Sequence, residues 1–356
     1  MDALSACVDC IAPLDERAMT AASARQDSLT KPRGSLGKLE RLSIQLAGIY
    51  RTAKPSIGRK VIFTMAADHG VTAEGVSAYP SEVTTQMVLN FARGGAAINV
   101  LAKCSGADVM IVDMGIASPV GWPPGVVVRS VARGTANMAK GPAMSREAAV
   151  QSLTHGAKLA ADAVASGATA LAVGDMGIGN TTSASALAAA FTGRSVVDVT
   201  GRGTGVDDRT LAAKVRAIGR ALDVNRPDPM DGIEVLSKVG GFEIGGMAGV
   251  ILGGASKGVP VFLDGFVAGS AALVAASICP ASRGYMVASH VSVEPGHRHV
   301  LEHLRLEPLL DLGMRLGEGT GAALAFTIAD ASCRILNEMA TFEDANVSKS
   351  NKERGQ

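Results

Sequence analysis

Aromatic side chains are scarce: one Trp, three Tyr and eight Phe make up 3% of 356 residues. Single-stranded nucleic acid needs such rings to stack its bases on, so that class of partner is excluded. Excess charge of either sign is also missing, since 34 Lys and Arg meet 33 Asp and Glu for a net +1. Polyanion binding driven by bulk charge is therefore excluded as well. Charged residues are 19% against 47% hydrophobic, too apolar a balance for a wholly disordered chain. No run reaches the ~18 apolar residues of a membrane span; the most apolar stretch, 244–263, is broken by Gly, Ser, Lys and Pro. The opening MDALSACVDC puts Asp2 where a secretory signal carries positive charge, with no apolar core behind it. A cytoplasmic location is expected. The five cysteines are odd in number and scattered, which does not suggest a disulfide framework. Cys7 and Cys10 have redox or zinc spacing, but with no second Cys or His pair nearby they read as two reduced thiols on a helix.

What is abundant is backbone freedom, with 42 Gly and 14 Pro. The length fits about two domains or one large α/β unit with appendages. Residues 1–60 and 303–342 read as helical and are expected to pack together as a small domain made from both termini. Ser35 is placed to cap a helix whose Leu36, Leu39, Leu42 and Leu46 recur at helical spacing. Between them, 61–302 alternates short β-rich runs with Ala-rich helical ones. Val61–Met65, Val109–Asp113, Thr169–Val173, Val196–Thr200, Val259–Leu263 and Tyr285–Ser289 read as buried strands. The runs Ala148–Ala165 and Ser183–Phe191 are suitable crossover helices. This is a βαβ pattern with a mainly parallel sheet. The polar tail 343–356 has nothing to bury and is expected to be disordered.

Small and polar residues follow each predicted strand: Asp68-His69-Gly70, Asp113-Met114-Gly115, Gly174-Asp175-Met176-Gly177, the glycine run 201–205, Asp264-Gly265 and His290-Val291-Ser292. Ligands of open α/β sheets bind outside the carboxyl ends of strands, so these loops point to one shared crevice. The run Gly174 to Thr182 opens an Ala-rich helix, where backbone amides and the Thr181 and Thr182 hydroxyls suit a phosphate. The alternative is a glycine turn that serves only helix–sheet packing. The run is neither a Walker A sequence nor a G-x-G-x-x-G fingerprint. A second glycine loop, Gly201, Gly203 and Gly205, precedes a helix carrying Lys214 about two turns in. Two loops and a lysine would hold a monophosphate, although Lys214 alone reads as a solvated helix-face residue. Glu318, between Gly317 and Gly319, has no bulky sequence neighbours, so a substrate could reach its carboxylate. Partial burial would raise its pKa toward neutrality and fit it for base catalysis, and an ordinary loop acid is the other reading. Asp68-His69 invites a metal or acid–base role, but no H-E-x-x-H pairing exists, and His297-x-His299 reads as a surface strand or loop feature. No G-x-S-x-G elbow is present.

Taken in order, Lys31 to Glu40 (KPRGSLGKLE), Ala67 to Val71 (ADHGV), Gly174 to Thr182 (GDMGIGNTT), Asp231 to Gly241 (DGIEVLSKVGG), Leu263 to Phe266 (LDGF) and Arg315 to Gly319 (RLGEG) resemble the nicotinate-nucleotide-dimethylbenzimidazole phosphoribosyltransferases. The likeness covers nearly the whole chain except the tail. It implies a Rossmann-like parallel sheet flanked by helices, a small helical domain from both termini, and a homodimer with active sites near the subunit interface. The implied reaction moves phosphoribose from nicotinate mononucleotide to an aromatic base, with inversion, and needs no cofactor or metal. By position, Glu318 falls on the family's catalytic glutamate. Gly177, Gly179, Asn180, Thr181, Gly201, Gly203, Gly205, Lys214, Asp264, Ser292 and Arg315 fall where substrate is held. Tyr79, Met87, Met176 and Leu316 fall around the acceptor base. Asp175 stands where the family commonly has Glu and is a second catalytic candidate; its shorter reach, with Tyr79, bears on acceptor choice. A weakly active or regulatory subunit pairing with a paralogue is the alternative. A nicotinamide-dependent dehydrogenase is the generic third, and it lacks a dinucleotide fingerprint.

Overall fold

The computed structural model describes residues 3–118, 121–203 and 205–348. The strands are β1 (Arg59–Ala67), β2 (Ala107–Gly115), β3 (Val126–Val128), β4 (Ala168–Met176), β5 (Val261–Leu263) and β6 (Met286–Ala288). The helices are α1 (Ala3–Asp9), α2 (Glu16–Ser28), α3 (Lys38–Tyr50), α4 (Glu82–Ala92), α5 (Ala97–Ser105), α6 (Arg146–Ala165) and α7 (Asn180–Thr192). They continue with α8 (Val196–Val199), α9 (Asp208–Asn225), α10 (Gly232–Val239), α11 (Phe242–Ser256), α12 (Phe266–Ile278), α13 (Pro295–Leu304) and α14 (Thr320–Glu338). All strand pairs are parallel, in the order β3-β2-β1-β4-β5-β6. This is the doubly wound order, whose reversal point lies between β1 and β4.

Alternation along the strands supplies both faces of the sheet. Val61, Phe63 and Met65 join one core with α6, α7, α11 and α12, whereas Ile62 and Ala66 join another with α3, α4, α5 and α14. The two helices nearest the first face meet backbone to backbone. A Cβ at Gly156 would lie 1.9 Å from Gly246 O, and one at Gly249 would lie 2.0 Å from Leu153 O. The glycines of α11, entirely buried but for its last residue, thus let α6 approach closer than any side chain permits. Burying α11 on both sides explains why this most apolar stretch is a core helix.

Helices from the first and last parts of the described chain touch. Ala22, Ala47 and Leu336 of α2, α3 and α14 form a small cluster, and Leu29 bridges Thr341. Helix α14 also packs on α5 and on β1, β4 and β5, so it covers the sheet as well as joining the terminal helices.

Several sequence expectations are corrected. Val196–Thr200 is not a strand: Ser195 Oγ accepts the Asp198 amide at 3.2 Å and starts the one-turn helix α8. Its place in the sheet is taken by β3, three residues that carry no readable period. Helix α3 starts at Lys38 after Gly37, with φ +54°, and Ser35 does not cap it; Glu40 reaches back to the Leu36 amide at 3.0 Å instead. Residues 306–319 form an irregular link between α13 and α14 that ends in a turn, rather than part of a helix. His297 lies on α13 and is buried. In the tail, 343–348 form a turn in which Val347 N donates to Phe342 O; 349–356 lie outside the described residues.

Candidate active site

The strand ends sort into two groups. Asp68 and Asp113 are used within the chain: Asp68 accepts the Ala117 amide from the segment after β2, and Asp113 accepts those of Gly115 and Ile116 and the Trp122 indole N–H. His69 is buried between Glu243 (2.6 Å) and Ser183 (3.1 Å), and tethers α11 to α7 beneath the 177–179 loop. Among the described residues no group of three or more His, Cys, Asp or Glu is placed to hold a metal ion. The ends of β4, β5 and β6 and the 201–203 loop instead surround a cavity of about 100 Å³, whose lining includes Asp175, Met176, Asn180, Thr181, Gly203, His290, Ser292, Glu294, Arg315 and Leu316. A small hollow beside it shares Asn180, Thr181 and Gly203 and adds Gly179 and Lys214. A larger cavity between α3 and β6, about 470 Å³, shares no residue with this crevice. The crevice, outside the carboxyl ends of β4, β5 and β6 and lined by convergent polar groups, is the site the fold favours.

Lys214 is not the solvated residue that its helix position suggests. It is 1% exposed, and its Nζ donates to Thr181 Oγ1 at 2.8 Å and Gly201 O at 3.2 Å. It therefore ties the two glycine loops together. Burial pushes its ammonium down to about 8, and the Glu294 carboxylate opposes that fall. The amides of Ile178, Asn180 and Thr182 are already used by Thr84 Oγ1, Gly177 O and Gly179 O, so positive charge for an anion here comes from side chains, Lys214 and Arg202 at the hollow and Arg315 at the crevice. Arg315 Nη1 donates to Gly203 O at 2.8 Å and holds the second loop from the far side. Glu294, which sequence reasoning missed, accepts the Gly203 amide at 2.9 Å. Its other oxygen packs on Gly201, where a Cβ would lie 2.1 Å away.

Glu318 sits on a tight turn. Its φ is +65°, between Gly317 at +83° and Gly319 at +98°. Three successive residues in this region need glycine neighbours, and a non-glycine held there marks a site where the surroundings impose the conformation. Those surroundings are visible. Glu318 N donates to Asp175 O at 3.1 Å, and Thr64 Oγ1 donates to Glu318 O at 2.8 Å. Gly174 makes this possible, because a Cβ there would lie 2.1 Å from Gly319 N. The carboxylate is buried and accepts the Ile98 amide, near the start of α5, at 3.3 Å. Burial raises its pKa above the ordinary glutamate value; the Ile98 amide opposes this and the charge of Asp264 adds to it. A carboxyl so tuned is suited to take a proton near neutral pH. Asp175 is also buried, and desolvation first, then Asp264, push it up to about 8, while the Asn180 amide 2.7 Å away restrains the rise.

Of the expected acceptor-base residues, Met176 and Leu316 line the crevice. Met87 packs against the core cluster that holds Ile98. Tyr79 is 51% exposed on a loop and lines none of these cavities. Asp264 is not a crevice-lining residue: both its oxygens are taken by the amides of Gly319 and Gly321. Gly177, Gly201 and Gly205 shape the loops and line neither the crevice nor the hollow beside it, whereas Ser292 lines the crevice.

Residues 11–347 match the phosphoribosyltransferase family. The nicotinate-nucleotide-dimethylbenzimidazole phosphoribosyltransferase of Chloroflexus aggregans is 56% identical over 349 residues, 98% of this chain and 99% of that one. Its namesake from Geobacter metallireducens is 56% identical over 95% of this chain and 96% of its own length. The crystal structure of nicotinate-nucleotide-dimethylbenzimidazole phosphoribosyltransferase from Thermus thermophilus superposes with a TM-score of 0.90 at 48% identity, covering 95% of this chain and all of that one. The chain belongs to this phosphoribosyltransferase family. It is a pentosyltransferase with a doubly wound α/β fold.

Proposed function

We propose that this enzyme transfers the 5-phosphoribosyl group of nicotinate mononucleotide to a lower-ligand base such as dimethylbenzimidazole. The products are nicotinate and an α-riboside phosphate, α-ribazole phosphate, a precursor in cobamide synthesis. The observation that carries the reading is Glu318: a buried carboxylate with a raised pKa, fixed on a tight turn beside a crevice whose glycine loops are joined by a buried lysine.

Nicotinate in the donor is a quaternary pyridinium, so it departs with a neutral ring nitrogen and needs no acid. Nucleophile activation is the remaining task. As one imidazole-ring nitrogen of the acceptor bonds to the ribose C1, the opposite N–H becomes acidic, and Glu318 accepts that proton. Lys214, Thr181 and the glycines at 201 and 203 hold the phosphate; Ser292 and Arg315 face the ribose; Met176 and Leu316 shape the acceptor side, to which the family resemblance also assigns Met87 and Tyr79. Asp175, protonated over much of the neutral range, keeps a second negative charge away from Glu318. Holding both substrates in one crevice supplies the orientation term, ~7–11 kcal/mol in ideal cases. The intact set of anchors around Glu318 favours a catalytic chain over a regulatory subunit.

The reading includes a cytoplasmic homodimer. Five free cysteines fit a reducing compartment, and no described helix is long and apolar enough to cross a membrane. Val293, Leu312 and Leu316 are each more than half exposed, apolar area suited to a partner subunit near the crevice mouth. Incubation with nicotinate mononucleotide and dimethylbenzimidazole should release nicotinate, followed by chromatography. Glu318→Gln should keep donor binding and lower turnover by ~10²–10⁴-fold. Wild-type turnover in that variant would refute the assignment of the base.

A further inference from the structure

Glu318 would be useless if its turn were loose, because a positive-φ segment between two glycines has little stiffness of its own. The residue that stiffens it lies elsewhere in the chain. Asp264, at the end of β5 and 1% exposed, directs Oδ2 to Gly319 N at 2.9 Å and Oδ1 to Gly321 N at 2.7 Å. These are the N-cap and second-position amides of α14. They belong to the set of helix N-terminal donors that has no partner within the helix. Helices are ordinarily capped by a side chain of the N-cap residue itself; here Gly319 has none, and a carboxylate from another loop performs the task. Such bonds from amides to a charged acceptor are stronger than neutral ones and gain from the helix dipole. Behind Asp264 stands His290, with Nε2 3.6 Å from Oδ1. Its ring rests so closely on α14 that a Cβ at Gly321 would lie 2.0 Å from His290 Cδ2.

We infer that Asp264 is a positioning residue for the transfer reaction: it caps α14 from outside the helix, braced by His290, and so fixes the turn that carries Glu318. This rests on the reading of Glu318 as proton acceptor. It gives Asp264, which does not line the crevice, a role other than substrate contact. The same carboxylate acts on Glu318 in a second way. Glu318 faces Asp175 from β4, Asp264 from β5, the Ile98 amide from α5 and Thr64 from β1, with His290 behind Asp264. Among these the nearby full negative charge of Asp264 makes ionisation of Glu318 harder. His290, held by Asp264 above its ordinary pKa against the opposing effect of burial, offsets that charge when protonated.

Anchor and charge can be separated by steady-state kinetics from pH 5 to 9 with nicotinate mononucleotide and dimethylbenzimidazole, on folded variants checked by circular dichroism. Substrate titration is common to all variants, so differences between them report the protein. Asp264→Asn should lower kcat by about 10–100-fold with the donor KM within about threefold, and should move the acid limb of kcat to lower pH. Thr64→Val, which removes the other side-chain anchor of the turn without changing charge, should lower kcat and leave the limb in place. Should Asp264→Asn not fold, His290→Gln provides the charge readout alone, with the limb displaced to higher pH. An acid limb that stays fixed in Asp264→Asn, or in His290→Gln where that variant stands in, overturns the inference, as does wild-type kcat in Asp264→Asn. Glu318→Gln, assayed alongside, separates the two claims: its retained turnover would overturn the base, whereas its inactivity with a fixed limb elsewhere would overturn only the role of Asp264.

Discussion

Lys214 is held charged in a place that disfavours charge, and replacing it with Met should stabilise the empty enzyme while weakening it as a catalyst. The distance between the ordinary 10.5 and about 8, at ~1.4 kcal/mol per pKa unit, corresponds to about 3 kcal/mol of destabilisation at pH 7. Against this, Lys214→Met leaves Gly201 O without its donor, a loss of ~1–2 kcal/mol for a buried acceptor. Thr181 Oγ1 loses a partner too, but a hydroxyl rotates to find another. The net expectation is a gain of about 1–2 kcal/mol in urea unfolding at pH 7 without substrate. The sign reverses with pH. The folded state releases the Lys214 proton near pH 8 and the unfolded state near 10.5, so the unfolded chain binds more protons between them and wild-type stability rises across that window. The advantage of the variant should therefore be full below pH 8, where the folded-state proton is still bound, cross zero between about pH 9 and 10, and become a deficit of about 1 kcal/mol by about pH 10.5. Binding moves the other way: a lost charge-assisted bond to phosphate, ~1.5–3 kcal/mol, predicts affinity for nicotinate mononucleotide about 10–100-fold weaker by calorimetry. A variant less stable than wild type at pH 7, or one that binds the nucleotide equally well, would refute the reasoning.

Gly321→Ala should be far more harmful than Gly-to-Ala substitutions in helices usually are, because the new Cβ would meet the His290 ring at 2.0 Å and Asp264 Oδ1 at 2.9 Å. Thermal melts should show a loss of about 1–3 kcal/mol together with reduced kcat; a variant as stable and active as wild type would show the α14 start to be looser than described. Tyr79→Ser and Asp175→Glu should change the order of preference among benzimidazole, purine and phenolic acceptors in competition assays. An identical ranking in both variants and wild type would remove those residues from acceptor selection.

Much of this protein was decided locally and could be read from the chain. Gly174 to Thr182 is a glycine loop between a strand and a helix because each requirement acts over neighbouring residues, and Glu318 stands out because glycines flank it. Short continuous apolar runs likewise reveal β1, β2, β4, β5 and β6, because strands buried on both faces need no polar residues between. The Val-rich segment 196–199 misleads because strand formation needs a free neighbouring edge, whereas the cap from Ser195 is available at once. The three residues of β3 are strand only because β2 lies beside them. The burial of Lys214 depends on Thr181 and Gly201 closing over it, and a helical face has no polarity label that foretells this. The anchor of the catalytic turn is the clearest case: Asp264 and Gly319 are 55 positions apart, joined by neither pattern nor spacing. Local sequence settled which groups the site could use, since conformational preference and spacing are short-range. The tertiary fold alone decided which of them are dry, paired and held still, because burial and hydrogen bonding depend on elements that meet only after the sheet has formed.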